Sequence, residues 1–152
     1  MAYTFISGAT GGIGKAFCKE TAMQGAEIFI TGRSEEKLVS LKEELLSLGA
    51  GAAEYFPCDL TDENSRKKML EFIDERGFKF DRIINVAGVD IQKGFLKYTE
   101  EKLLFQLRVN AEATTALTHA LLKRRAEGKT SVITIASMSG AKPMPYFAVY
   151  SA

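Results

Sequence analysis

Cysteine is scarce. Cys18 and Cys58 are the only two. They stand far apart, with no C-x-x-C pair and no histidine near either, so the pattern offers no zinc or redox centre. They read as two reduced, buried thiols. The single histidine, His119, sits among Ala, Leu and Thr with no partner for a metal or a base, and reads as a packing or surface residue. An excess of charge of one sign is also missing. Twenty Lys and Arg face nineteen Asp and Glu, a net charge of +1, which gives no field to recruit nucleic acid. No apolar run approaches the ~20 residues of a membrane span, and no signal-peptide pattern opens the chain. The expectation is a cytoplasmic protein with no metal, nucleic-acid or membrane partner. What is present is ordinary: 46% apolar and 26% charged residues in 152, enough for one soluble globular domain.

Strands and helices alternate along the chain. The segment 2–6 reads as a first strand and Lys15 to Gln24 as a helix. Glu27–Thr31, β-branched and aromatic, reads as a second strand. Ser34 can cap the next helix, with Glu35 and Glu36 well placed in its first turn. Leu38, Leu41, Leu45 and Leu48 recur at helical spacing and read as core, with Gly49 as the stop. Ala53–Phe56 is a third strand. Thr61 can cap a third helix with Met69, Leu70 and Ile73 inward. Asp81–Val86 is a fourth strand, Thr99 opens a long helix reaching about Glu127, and Thr130–Ala136 is a fifth strand. Lys123-Arg124-Arg125 reads as a solvated face near the helix end. This alternation implies an α/β, Rossmann-like doubly wound parallel sheet of order 3-2-1-4-5. A ligand then lies outside the carboxyl ends of strands one and four.

The chemistry centres on Ser7-Gly8-Ala9-Thr10-Gly11-Gly12-Ile13-Gly14. A strand, a glycine turn and a helix N-terminus make a phosphate cradle of backbone N–H groups. A plain strand-to-helix turn has a similar composition. The G-x-G-x-x-G fingerprint does not fit, nor does the phosphate loop ending in Gly-Lys-Ser/Thr. Arg33, directly after the second strand, falls where a doubly wound fold meets the adenosine ribose. No acid stands there until Glu35. A guanidinium suits a 2′-phosphate, which favours NADP over NAD, the alternative being a surface arginine.

Glycines at 8, 12 and 14, spaced G-x3-G-x-G, resemble the short-chain dehydrogenase/reductase family, with Ser7 where the family has Thr. Glycines at 8, 11 and 14 resemble its epimerase-like branch. Asn85-Val86-Ala87-Gly88 is similar to the family's Asn-Asn-Ala-Gly, with Val86 in place of the second Asn, and favours the shorter branch. Ile135-Ala136-Ser137 through Tyr150-Ser151-Ala152, around a loop with Gly140, Pro143 and Pro145, resembles the family's catalytic segment. Ser139 and Tyr146 fit that spacing less well.

The resemblance implies a bound dinucleotide, and the residues that would hold it are Gly8, Thr10, Gly11, Gly12, Ile13, Gly14, Arg33, Asp59, Leu60, Asn85, Ala87 and Gly88. Asp59 would contact adenine, though a turn aspartate is the alternative. Ser137 would hold a substrate carbonyl, Tyr150 would exchange the hydroxyl proton, and Asn110 would join a proton relay through water, its alternative being an exposed helical Asn. The implied reaction interconverts a small-molecule ketone and a secondary alcohol, and the implied assembly is a homo-oligomer formed through the long helix. A non-catalytic NADP-binding module or partner subunit is the alternative, and an epimerase-like enzyme on nucleotide sugars a third.

The family motif is Tyr-x-x-x-Lys, and its lysine position falls beyond Ala152. A phenol ordinarily ionises near pH 10, and each unit toward neutrality needs about 1.36 kcal/mol. The lysine and the cofactor supply that in the family. Strand five is also almost continuously apolar, as strands in the middle of a parallel sheet are, yet nothing in the chain is placed to cover its far side. The expectation is the N-terminal part of a longer enzyme, impaired by itself.

Overall fold

Strand β1 (Tyr3–Ser7), helix α1 (Gly12–Met23), β2 (Glu27–Gly32), α2 (Glu35–Ser47), β3 (Ala52–Pro57), α3 (Glu63–Glu75) and β4 (Phe80–Asn85) alternate as the sequence predicts. These come from a computed structural model that describes residues 2–142 and 144–152, so Pro143 lies outside the described residues. A long helix follows in three parts: α4 (Glu100–Leu107), a π-helical turn (Arg108–Ala113) and α5 (Thr114–Leu122). Strand β5 (Ser131–Thr134) comes last, before a short 3-10 turn at Met138–Gly140.

The strands are parallel and ordered β3-β2-β1-β4-β5, the doubly wound order. Ser7 lies beside Asn85, and Gly32 beside Pro57. That register brings the turns after β1, β2, β3 and β4 out at one edge of the sheet.

Each face of the sheet buries its own core. Successive strand residues point to opposite sides, so Phe5 and Ile83 join one core while Ile6 and Ile84 join the other. The first face is aromatic. Phe5, Phe29 and Phe80 pack with ring centroids 5.9–6.0 Å apart, under Met69 and Ile73 of α3 and Leu117 and Leu121 of α5. The second is aliphatic, with Ile28 and Ile30 under Leu38, Leu41 and Leu45 of α2. Each such fully buried side chain contributes about 1.5–3 kcal/mol.

Four local expectations are corrected. Leu48 does not join the core: it is the C-cap of α2, past its last helical residue, and keeps 36% of its surface in solvent. The α3 cap is Asp62, whose carboxylate accepts from the Asn64 N–H at 2.9 Å. Thr61 stands one residue earlier, its amide and hydroxyl both donating to Asp59, at 2.9 and 2.7 Å. The long helix ends at Leu122, because the backbone beyond it pairs with Phe80: the Phe80 N–H donates to Arg124, and the Ala126 N–H to Phe80. Arg124 is not merely solvated, since it grips Asp74 with two bonds of 2.6 Å.

Strand β5 ends the sheet and pairs with β4. All four of its residues are exposed, and Val132 and Ile133 keep 43% and 39% of their surface in solvent. These are the apolar side chains the sequence assigns to a buried position.

Candidate functional site

Helix α1 starts differently from its neighbours. Helices α2, α3 and α4 begin with Ser34, Asp62 and Thr99, each accepting from the helix backbone, and each has acidic residues in its first turn. Helix α1 begins at Gly11 with no side-chain cap and no acid in its first turn. Its first intrahelical bond runs from the Lys15 N–H to the Gly11 carbonyl. The amides of Gly12, Ile13 and Gly14 precede that bond and face outward with the positive end of the helix.

The glycines of this turn serve two purposes. Gly8 has φ +63°, and a Cβ there would sit 2.7 Å from the Ala87 nitrogen. A Cβ at Gly14 would sit 2.1 Å from the Gly8 carbonyl oxygen. Both are required by the protein's own backbone. Gly12 is not, for nothing lies within 4 Å of where its Cβ would be and its φ is not positive. The open space over Gly12 lies where a phosphate would approach the helix start, so the cradle fits an anionic ligand.

Around that space is a cleft of about 400 Å³. Gly8, Thr10, Gly11, Gly12, Ile13 and Gly14 form one wall; Gly32 and Arg33 form the next. Asp59, Leu60 and Thr61 come from the turn after β3, with Cys58 beneath them. Ala87 and Gly88, with Val86 and Val89, come from the loop after β4, and Phe105 and Val109 close the side. Of the residues expected to bind the cofactor, eleven line this cleft. The sequence reading missed Gly32, Cys58, Thr61, Val86, Val89, Phe105 and Val109. Phe105 and Val109 could have been found as an apolar i, i+4 pair just ahead of Asn110.

Asn85 is placed elsewhere. It is 3% exposed, and its amide donates to the Thr118 and Thr134 hydroxyls at 2.9 and 3.3 Å, joining β4 to α5 and β5. It lies outside the cleft lining. Ser7 does the local work between β1 and β4: its hydroxyl accepts from the Val86 and Ala87 amides at 3.2 and 3.3 Å. Val86 in place of Asn therefore leaves no backbone amide unserved there.

Asn110 sits inside the π-helical turn and is half-buried, not an exposed helical Asn. Its Oδ1 accepts from the Val89 N–H and its Nδ2 donates to the Val89 carbonyl, both at 2.8 Å. Such a turn sets aside regular helical bonding and often marks a working site. Nearby, Gln106 accepts from the Ile91 N–H at 3.0 Å, and the Tyr98 hydroxyl donates to the Ile91 carbonyl.

Ser137 and Tyr150 also lie outside the lining of the cleft. Ser137 is exposed at the end of β5. Its oxygen accepts from the Ser139 N–H at 3.2 Å and the Ser139 hydroxyl at 2.9 Å. A serine hydroxyl that accepts these bonds keeps one proton to donate. Tyr150 is half-buried, with its ring 5.7 Å from that of Phe147. Tyr146 holds φ +69°, and its carbonyl accepts from the Lys93 N–H at 3.1 Å.

Two titrations bear on the cleft. Asp59 is held below the usual carboxylate range, first by the Thr61 hydroxyl, then by the Thr61 amide, with a smaller contribution from Arg33. Burial pushes the Cys58 thiol up, which makes it a poor nucleophile. Cys18 lies deeper, and burial raises its thiol to about 12. Among the described residues, no group of three or more His, Cys, Asp or Glu could hold a metal ion, and no helix is long and apolar enough to cross a membrane.

A family model described as short chain dehydrogenase matches residues 2–152. The chain belongs to this family. It is 33% identical over 149 residues to the uncharacterized oxidoreductase YvrD of Bacillus subtilis, covering 96% of this chain and 55% of that protein. It is 30% identical over 148 residues to hydroxysteroid 11-beta-dehydrogenase 1-like protein A of Xenopus laevis, covering 97% of this chain and 51% of the relative. Among solved structures, an actinorhodin polyketide ketoreductase with NADPH superposes with a TM-score of 0.90 at 25% identity, covering 99% of this chain and 58% of that one. The chain thus spans about half the length of the curated relatives it matches. Its fold and its place in an oxidoreductase family follow from these matches.

Proposed function

We propose that these 152 residues are one dinucleotide-binding domain of an NADP-dependent oxidoreductase that interconverts a ketone and a secondary alcohol. The observation that carries this reading is the uncapped start of α1 opening into a cleft walled by Arg33 and Asp59. When bound, the nicotinamide supplies or accepts the hydride.

The amides of Gly12, Ile13 and Gly14 and the Thr10 side chain hold the diphosphate, and Arg33 meets the 2′-phosphate at the exposed mouth of the cleft. Asp59 and Leu60 wall the adenine, while Ala87 and Gly88 let the ligand lie close to the end of β4. Asn85 acts from below by fixing β4. Ser137 donates its hydroxyl proton to the substrate carbonyl. Tyr150 gives its phenolic proton to the forming alkoxide, or takes it back in the reverse direction. Asn110 holds Val89, and its second amide hydrogen is available to a water in a relay.

Leu104 and Leu107, exposed on the long helix, support a homo-oligomer. Two free buried thiols support a cytoplasmic location. A second reading, an NADP-binding module without turnover, is favoured by one observation, that neither Ser137 nor Tyr150 lines the cleft.

The test is NADPH oxidation against a panel of ketones, beside calorimetric binding. The reading expects Tyr150→Phe to cut turnover by about 10³-fold while leaving NADPH affinity unchanged. Arg33→Ala should weaken NADPH by about tenfold, ~1.4 kcal/mol, and leave NADH unaffected. The turnover arm is run with this chain and with a version extended past the lysine position, and binding without turnover in the extended version would select the module.

A further inference from the structure

The turn after β3 and the loop after β4 both line the cleft and are far apart in sequence. One side chain, on α3, is linked to both. Arg66, in the first turns of α3, is 8% exposed, an unusual place for an arginine. Its Nη1 donates to the Leu60 carbonyl at 2.5 Å, and its Nη2 donates to Glu112 Oε1 at 2.8 Å. Glu112 belongs to the π-helical turn Arg108–Ala113. In that turn, two residues earlier, Asn110 grips both backbone groups of Val89. Leu60 and Val89 both line the cleft. Two sets of hydrogen bonds, Leu60–Arg66–Glu112 and Asn110–Val89, are therefore joined by the backbone of the π-helical turn.

We propose that Arg66 is a positioning residue that makes the two walls of the cleft one mechanical unit, so that a ligand on the Leu60 wall orders the Val89 wall. Arg66 is suited to this because its planar fork reaches a carbonyl and a carboxylate in fixed directions. Buried as it is, loss of either partner would leave part of its fixed charge unpaired, which is costly. The π-helical turn is suited because its irregular bonding permits a second arrangement, which a regular helix would resist. Coupling between linked sites is ordinarily 5- to 150-fold.

The inference takes its ligand from the proposed NADP site, and the experiment separates the two. Amide exchange at Val89 is followed in the purified chain with and without adenosine 2′,5′-bisphosphate, a probe that reaches the adenine side only. In the wild type the probe should slow exchange at Val89 by about tenfold. In Glu112→Ala, which keeps the bond from Arg66 to Leu60 and removes the exposed acceptor, that slowing should fall to about twofold or less. In Arg66→Met it should vanish, while Arg66→Lys, reaching one acceptor at a time, should restore part of it. If Arg66→Met does not fold, the Glu112→Ala result decides. Val89 protection that is equal in the wild type and Glu112→Ala overturns the inference. Should adenosine 5′-monophosphate bind in place of the bisphosphate, the preference for NADP fails, and the same exchange comparison, run with the monophosphate, still tests Arg66.

Discussion

The start of α1 and the start of α3 lie at the same edge of the same sheet, and they are built in opposite ways. Helix α3 supplies its own anion: the Asp62 carboxylate caps the first turn and Glu63 follows it. Helix α1 supplies none, beginning at Gly11 with the residue after it open to space. A helix start satisfied by its own side chain is finished as structure. One left bare beside a cleft, at the cost of a cap worth about 1 kcal/mol, is kept for a ligand that brings the missing negative charge.

The largest expected break in this contrast is Gly14→Ala. Its Cβ would meet a backbone oxygen at 2.1 Å, so the turn must move. A stability loss of about 3 kcal/mol or more is expected, read from urea midpoints. Next is Gly11→Asp, which gives α1 the kind of start α3 has. A Cβ there would have only the Gly8 oxygen near it, at 3.4 Å. The fold should hold or gain up to ~1 kcal/mol, while NADPH affinity drops by about 100-fold, ~2.7 kcal/mol, in calorimetry. Asp62→Ala is the mirror experiment. It should cost about 1 kcal/mol of stability and leave NADPH affinity as it was.

The smallest effect is in pH. Asp59 is held below its unfolded value of ~3.9. Its contribution is therefore present above about pH 4 and is lost as pH falls through the lowered value. Thr61→Val removes the main cause of that shift. It should cost under ~1 kcal/mol at pH 6, the carboxylate being largely solvated, and the gap from wild type should close in thermal melts as pH falls through the lowered value.

Much of this contrast is legible in the chain itself. Short β-branched strands alternating with amphipathic helices specify the sheet order, because parallel strands need crossovers and crossovers have one hand. The glycine turn is legible because Gly8 and Gly14 answer to local backbone geometry. Less legible is whatever depends on meetings between distant segments. Arg66 reads as one more cation on a polar helix until Leu60 and Glu112 fold around it. Asn110 reads as a poor helix residue until Val89 arrives. Thr61 reads as the α3 cap until the fold ties it to Asp59 and gives the cap to Asp62. Strand β5 shows the reverse case. Its apolar pattern is that of a buried strand, and the side chains stand exposed at the end of the sheet.

The most direct measurement is a calorimetric titration of the wild-type chain with NADPH, repeated with NADH. The account predicts saturable binding of one NADPH per chain, tighter than NADH by about tenfold. Heats showing neither dinucleotide bound, or both bound equally, would contradict it.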